Sequence, residues 1–261
     1  MRSRVSTLSA GVLMVVLGVS RLLSTLEASA QTEVCGGGGG FSHEFCDGLS
    51  LLDCTKLIES GTLKGPDLAE AYVQRSSCHP LEERAKLRAD LEKAIEIDPR
   101  NYYALSNLGR YYRNGPDQNF DRAIEYLTKA IDVAGDAPQG VAWTEKYEAY
   151  LERRSVYEQF EKYELAIKDT TRLMELHAQQ MKPPPMAPEG LRLPLTNGMK
   201  VGEALETDRR AGLYLKVGKL DLALADIDRA LALTAGDDAA SSYRAGWLSE
   251  RERILKMLGR K

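Results

Sequence analysis

Three histidines and one pair of neighbouring carboxylates are the residues of this 261-residue chain best suited to acid–base chemistry. His43, His79 and His177 lie in separate contexts, and none of them begins the H-E-x-x-H pattern of a zinc protease. Asp237-Asp238 falls in a turn, where an aspartate ordinarily caps a helix. No G-x-S-x-G pattern occurs, and the "CGGGGG" tract lacks the Lys-Ser/Thr of a phosphate loop. We therefore expect a protein that is not an enzyme and has no metal or cofactor, with an envelope hydrolase as the less favoured alternative.

The balance of charge argues against a nucleic-acid partner. The chain has 35 Lys and Arg residues against 38 Asp and Glu residues, which gives a formal net charge of -3. Nucleic-acid binding requires a surplus of basic side chains to replace the counterions of the phosphates. No run of like charges suggests a polybasic membrane patch either.

The first thirty residues have the composition of a secretory signal. Arg2 and Arg4 precede the apolar stretch "VSTLSAGVLMVVLGV", and small residues at Ala28 and Ala30 precede Gln31. A basic start, an apolar segment and small residues at the cleavage site predict a signal peptide that is cut after Ala30. The alternative is an uncleaved membrane anchor. We expect a periplasmic or secreted protein, with the membrane involved only if this segment is retained.

All four cysteines follow the predicted cleavage site: Cys35, Cys46, Cys54 and Cys78. An even number of cysteines in an exported chain indicates disulfides, and three pairings are possible. We favour Cys54–Cys78, with Cys35–Cys46 as the second pair. A metal site built from Cys35, His43 and Cys46 is the competing interpretation, but no C-x2-C spacing supports it.

The elements that position these residues come from a repeated pattern. The segments 87–97, 121–131, 164–174 and 221–231 ("LRADLEKAIEI", "DRAIEYLTKAI", "ELAIKDTTRLM", "DLALADIDRAL") share apolar residues at three- and four-residue steps. Upstream of each segment lies another amphipathic helix that carries an aromatic residue. The pattern is therefore a helix, a short turn and a second helix, written about four times.

This pattern resembles the tetratricopeptide repeat, a helix–turn–helix unit of about 34 residues. The match is carried by Leu105-x2-Leu108-Gly109-x2-Tyr112, followed by Ala123-x3-Leu127, and by the Pro that ends the preceding unit at position 99. In such a repeat, small residues stand where paired helices cross closely and large residues fill the layer between units. In the third unit Arg154 stands at the usual small position, which predicts looser packing there.

The resemblance implies an all-α fold, a right-handed superhelix or α-solenoid of about four units with a C-terminal capping helix. We expect a signal peptide at 1–30, a Cys/Gly-rich segment with a short helix at 31–66, a repeat domain at 67–237 and a capping helix at 238–261. The repeat units are expected at about 67–100, 101–138, 146–180 and 203–237, with a Pro-rich insert at 181–200. The insert is interpreted as a surface loop; the alternative is a segment that binds a partner or folds over the groove. One face of the capping helix is expected to carry its apolar residues: Tyr243, Trp247, Leu248, Ile254, Leu255 and Leu258.

The first helix of each tetratricopeptide unit lines a groove that holds a peptide or a partner helix. Carried onto this chain, the second, third and fourth units contribute the following groove residues: Tyr103, Ser106, Asn107, Arg110, Arg113, Asn114, Glu148, Leu151, Glu152, Glu158, Asp208, Arg209 and Lys216. A basic, amide-rich stretch would thus neighbour an acidic one. The plain alternative is that these are solvated faces of surface helices.

Chaperone-binding members of the family use a clamp of Lys, Asn and Arg that holds two carboxylates. This chain has Val73, Ser77 and Glu152 at positions of that clamp, so binding of a C-terminal Glu-Val-Asp tail is not predicted. The expected function is a non-enzymatic scaffold that binds an unidentified protein or peptide in the bacterial cell envelope. The alternative is a membrane-tethered envelope assembly factor that keeps its N-terminal helix.

Overall fold

The computed structural model describes residues 50–135, 141–180 and 197–260, and these contain ten α-helices and two short 3-10 turns but no β-strand. The predicted all-α fold class is therefore confirmed. The chain divides into two compact units, whose boundary falls between Ile97 and Asp98. The predicted signal peptide, Cys35, His43, Cys46 and most of the predicted insert lie outside the described residues.

The described part of the first unit, from residue 50 onwards, contains three α-helices: α1 (Leu51–Glu59), α2 (Pro66–Ser77) and α3 (Arg84–Ile97). Helix α1 begins at a reciprocal cap, because the Ser50 hydroxyl accepts from the Asp53 amide and the Asp53 carboxylate accepts from the Ser50 amide. Helix α2 begins at Pro66, whose fixed φ suits the first helical position and whose missing N–H is not needed there. Helix α2 packs against both α1 and α3.

The residues of the second unit that the structure describes form seven α-helices: α4 (Tyr102–Asn114), α5 (Phe120–Val133), α6 (Val141–Gln159), α7 (Tyr163–Gln180), α8 (Asn197–Lys216), α9 (Leu220–Leu233) and α10 (Ser241–Met257). Each helix packs against the next along the chain, and α4 also packs against α6. Successive pairs of helices in contact with their neighbours are the arrangement of a helical repeat. The second unit thus has the packing of an α-helical repeat, the fold class that the sequence predicts.

Hydrogen bonds to asparagine side chains explain where the two helices of the second predicted repeat begin. The Asn101 side chain accepts a hydrogen bond of 2.9 Å from the Ala104 amide, and the Asn119 side chain accepts one of 2.9 Å from the Arg122 amide. Both asparagines satisfy an amide that no helical carbonyl can reach.

The turns after α6 and α8 have the same hydrogen-bond pattern but different residues at the left-handed position. Lys162 N donates to Tyr157 O over 2.7 Å, and Lys219 N donates to Tyr214 O over 2.9 Å. This bond closes a Schellman motif, in which the residue before the donor takes positive φ. That residue is Gly218 after α8 (φ 73°) and Glu161 after α6 (φ 57°). The third repeat therefore places a glutamate in a conformation that favours glycine.

The close helix crossing predicted at Gly109 is confirmed. A Cβ atom at this position would lie 2.5 Å from Leu127 Cγ on α5, and Leu127 is fully buried. Ala123, Ala211 and Ala223, which the repeat also requires to be small, are fully buried.

At the corresponding position of the third repeat, Arg154 is buried and its guanidinium pairs with carboxylates instead of leaving a gap. These ionic partners lie on its own helix (Glu158) and on α8 (Glu206), and the looser packing of this repeat stays a prediction.

The C-terminal helix α10 covers the end of a core cluster that includes Ala223, Ile227, Trp247 and Ile254. Its apolar face differs from the predicted one, since the side chains of Tyr243 and Leu248 are 46% and 49% exposed. The prediction placed too many apolar residues on one stripe: only those that meet α8 and α9 are buried.

The predicted Cys54–Cys78 disulfide is not formed in the structure, in which Cys54 lies buried in α1. Cys78 follows the last residue of α2, and its Sγ lies 3.4 Å from Gln74 O. The other predicted pair, Cys35–Cys46, lies outside the described residues. Among the residues that the structure describes, no helix is both long and apolar enough to cross a membrane.

Candidate functional site

The predicted groove residues lie on α4, α6 and α8, the first helices of successive repeats in the second unit. Contacts between these helices join the residues into one surface, which we call the A-face. Six of the predicted residues lie on α4, four on α6 and three on α8.

The contact between α4 and α6 centres on one carboxylate. Glu152 Oε1 accepts from Arg110 Nε over 3.0 Å, and Glu152 Oε2 lies 2.6 Å from Arg113 Nη1. Asn107 Oδ1 lies 3.5 Å from Arg110 Nη1, and Asn114 Oδ1 accepts from Arg113 Nε over 3.2 Å. The basic, amide-rich stretch and the first acidic residue beside it are thus brought together as the sequence predicts.

The start of α6 adds carboxylates that have no such ionic partner in the described residues. Burial raises the pKa of Glu145; the hydrogen bond with Tyr103 opposes this shift, and the charge of Glu148 adds to it. The Tyr102 hydroxyl donates to the backbone oxygen of Glu145 over 2.7 Å and so fixes the two helices at this end. Ser106 does not belong to the exposed surface, because it is only 2% exposed.

Ion pairs also connect α6 to α8. Glu158 lies 3.4 Å from Arg154 Nε on its own helix and 3.1 Å from Arg209 Nη1 on α8. Arg154 in turn pairs with Glu206 on α8. Lys216 is exposed at the end of α8, and Leu151 is half-buried in the middle of α6.

Asp208 faces α10 rather than the ionic pairs of α6. Burial raises the pKa of Asp208, and the Glu250 carboxylate adds to this shift, whereas the hydrogen bond from Trp247 and the charge of Arg209 oppose it. The negative charge of Asp208 is therefore poorly compensated by its surroundings.

Sequence reasoning missed a second set of charges, which lies inside the repeats. In three of the four repeats, an arginine of the first helix donates two hydrogen bonds to a buried aspartate of the second helix: Arg75–Asp90, Arg153–Asp169 and Arg210–Asp226. In the first unit His79 Nε2 also lies 2.9 Å from Asp90 Oδ2. The second repeat has Leu108 and Tyr126 at these positions, and Tyr126 stacks on Tyr112 with ring centroids 5.7 Å apart.

A regular register could have revealed these pairs. Each arginine directly precedes the small position of its repeat, and each aspartate stands three residues after the alanine or leucine at the start of the second helix. Bidentate arginine–carboxylate pairs of this kind fix the relative position of two helices. They stabilise the scaffold of the A-face and do not line it.

The comparison with known families agrees with the repeat. Residues 91–125 match the family model described as "Tetratricopeptide repeat", a stretch that covers the end of α3, all of α4 and the start of α5. No curated protein matches the chain. The second repeat, in which Gly109 and Tyr112 follow the family pattern, is thus similar to a tetratricopeptide repeat.

Proposed function

We propose that this protein is a non-enzymatic scaffold that binds a peptide or a partner protein on the A-face, in the bacterial cell envelope. Tetratricopeptide repeats generally mediate protein–protein interactions, and the match at residues 91–125 supports that general role. The proposal rests chiefly on one observation, the polar surface that α4, α6 and α8 share through ion pairs. Such pairs hold long side chains in place before a partner arrives, which lowers the entropy lost on binding.

The location in the envelope rests on the first thirty residues of the sequence. Mass spectrometry of the intact protein from its native host tests it directly. A chain that begins at Gln31 supports export and cleavage, whereas a chain that keeps residues 1–30 supports the membrane-tethered assembly factor.

Crosslinking capture in the native envelope tests the A-face. The wild-type protein is compared with a variant that carries Asn107→Ala, Arg110→Glu and Arg113→Glu, and with the control Arg172→Glu. Arg172 forms an ion pair with Glu175 on α7, which is a second helix of its repeat. Circular dichroism first establishes that all three proteins are equally helical.

A partner that the wild type and the control capture, and that the triple variant loses, supports the proposal. Equal capture by all three proteins would place the binding site elsewhere. Capture of no partner by any of them would contradict the scaffold function.

A further inference from the structure

The arginines of the A-face are unequally matched with carboxylates. Arg110 and Arg113 share the single carboxylate of Glu152. The next ionic cluster, between α6 and α8, is balanced: Arg154 and Arg209 face Glu158 and Glu206. The pairs Arg153–Asp169 and Arg210–Asp226 inside the repeats are also matched one to one. The two arginines on α4 therefore carry one positive charge more than the single carboxylate that they share.

This surplus has free hydrogen-bonding capacity. Arg110 donates from Nε to Glu152 and from Nη1 to Asn107, while Arg113 donates from Nε to Asn114 and forms an ion pair with Glu152 through Nη1. Within the described residues, the Nη2 groups of both arginines have no protein acceptor. A guanidinium presents five N–H donors in a plane, which suits a second carboxylate beside the first.

The pair is also accessible. The side chains of Arg110, Arg113 and Glu152 are 39%, 19% and 20% exposed, so a partner can reach all three without unfolding α4 or α6. Partial burial keeps the site less screened by salt than a fully exposed pair. It is thus suited to recognising one charge on a partner.

Neighbouring charges limit what the site accepts. Glu148 and Glu145 lie about one and two turns before Glu152 on α6. These carboxylates would repel a dense polyanion such as nucleic acid or a run of acidic residues. A single acidic side chain in a neutral or basic segment avoids that repulsion.

We propose that Arg110 and Arg113 form a subsite for one acidic side chain of a partner protein, and that Glu152 occupies this subsite as an internal competitor. The proposal rests on the peptide-binding function of the A-face. Glu152 sets the affinity: the incoming carboxylate must share or displace it. A Glu152→Gln substitution keeps the shape of the side chain and removes the competing charge.

Peptide selection tests the proposal on the predicted mature protein, which begins at Gln31. A phage library of random twelve-residue peptides is selected on the wild-type protein, and the recovered peptides are synthesised and measured by calorimetry. Each peptide is also made with Gln in place of Glu, or Asn in place of Asp. The protein variants are Glu152→Gln, Arg113→Gln and the controls Glu175→Gln and Arg172→Gln, which alter a matched exposed pair on α7.

We expect the selected peptides to share a single acidic residue. Glu152→Gln should bind them roughly threefold to tenfold more tightly, in line with the modest strength of accessible ion pairs. Arg113→Gln should bind them more weakly by a similar factor, and the neutral peptides should lose both effects. Because Glu152→Gln increases affinity, loss of folding cannot imitate the result.

The two proposals fail in different ways. If peptides are selected but carry no shared acidic residue, or if Glu152→Gln binds them no better, the carboxylate subsite is wrong and the A-face scaffold stands. If Glu175→Gln increases affinity as much as Glu152→Gln, the effect is one of net charge and the subsite is likewise wrong. If the wild type selects no peptide, the proposed function itself fails.

Discussion

At the scale of the residue, the clearest constraint is the close approach at Gly109. Gly109→Ala places a Cβ atom against the fully buried Leu127 Cγ, so α4 and α5 must move apart or Leu127 must leave its rotamer. We expect the free energy of unfolding to fall by about 1–3 kcal/mol, the usual cost of overpacking a core. Urea unfolding followed by circular dichroism measures it.

Gly212→Ala is the matched control for this prediction. Gly212 lies in α8, directly after the small position of the fourth repeat, and an added Cβ atom there meets nothing within 4 Å. Alanine should stabilise this helix by up to about 1 kcal/mol, because it loses less backbone entropy than glycine. Equal effects of the two substitutions would mean that helix propensity, not the crossing, decides the identity of residue 109.

Asp208 gives a pH-dependent prediction. Burial and the charge of Glu250 raise its pKa in the folded state, so the folded protein holds this proton more tightly than the unfolded chain does. Stability is therefore greatest when the carboxyl group is protonated and falls as pH rises through the folded-state pKa. Asp208→Asn, whose amide oxygen can still accept from Trp247, should be the more stable protein at pH 7, by roughly 0.5 kcal/mol after screening by solvent.

Thermal unfolding at several pH values tests this sign. The advantage of Asp208→Asn should shrink towards the ordinary aspartate pKa, near about 3.9, where the wild-type group is protonated in both states. The exposed Asp228, which forms an ion pair with Arg251, is the control, and Asp228→Asn should give no gain at pH 7. A constant advantage of Asp208→Asn across the pH range would show that charge is not its cause.

At the scale of the element, the turns after α6 and α8 offer a matched pair of substitutions. Glu161 holds a positive φ of 57°, which costs a side-chain-bearing residue roughly 1–2 kcal/mol, whereas Gly218 holds the equivalent φ of 73° without that cost. Glu161→Gly should therefore raise the melting temperature, and Gly218→Ala should lower it. If both substitutions shift the melting temperature in the same direction, the backbone strain is not what distinguishes the two turns.

The ion pair inside the fourth repeat can be tested by a double-mutant cycle. Arg210 and Asp226 join α8 to α9 through two hydrogen bonds of 2.8 Å, and Asp226 is buried. Asp226→Tyr alone leaves a partly buried guanidinium without its carboxylate, and should lower the free energy of unfolding by about 3 kcal/mol.

The double variant Arg210→Leu, Asp226→Tyr copies the second repeat, which has Leu108 and Tyr126 at these two positions. It should recover most of the loss, because a buried ion pair and a packed apolar pair of similar volume are nearly equivalent. Urea unfolding of the wild type, the two single variants and the double variant gives the coupling energy. Additive losses would contradict this equivalence.

The same repeats show how far sequence reasoning reaches. The spacing of small and large residues predicted the helix pairs. Gly109 and Ala123 are small enough for a close helix crossing, and Tyr112 is large enough to fill the layer between repeats. The spacing did not predict the pairs between arginine and aspartate, because long charged side chains on amphipathic helices usually point to solvent. Their burial depends on how the two helices of a repeat pack against each other, which the pattern of a single helix does not show.

The predicted binding residues show the same limit. Periodicity placed Arg110, Arg113 and Glu152 on first helices, but it could not show that one carboxylate serves both arginines. Ser106 follows the same period and is nevertheless buried, because the packing of α4 against its neighbours decides which residues of its stripe reach solvent.

At the scale of the whole molecule, the division at Ile97 and Asp98 makes the second unit a candidate for independent folding. A helical repeat is stabilised by contacts between neighbours, so a compact set of helix pairs does not need the rest of the chain. We expect the fragment 98–261 to be helical and to unfold in one cooperative thermal transition.

Removal of one more helix provides the control. A fragment that begins at residue 120 lacks α4, whose Leu105 and Leu108 are buried and whose helix packs against both α5 and α6. This shorter fragment should unfold at a lower temperature and bind the 1-anilinonaphthalene-8-sulfonate dye through its exposed core. Because the whole A-face lies within 98–261, the longer fragment should also bind the selected peptides as the full chain does. Failure of that fragment to fold would mean that the two units form one cooperative structure and that the binding surface depends on residues before Asp98.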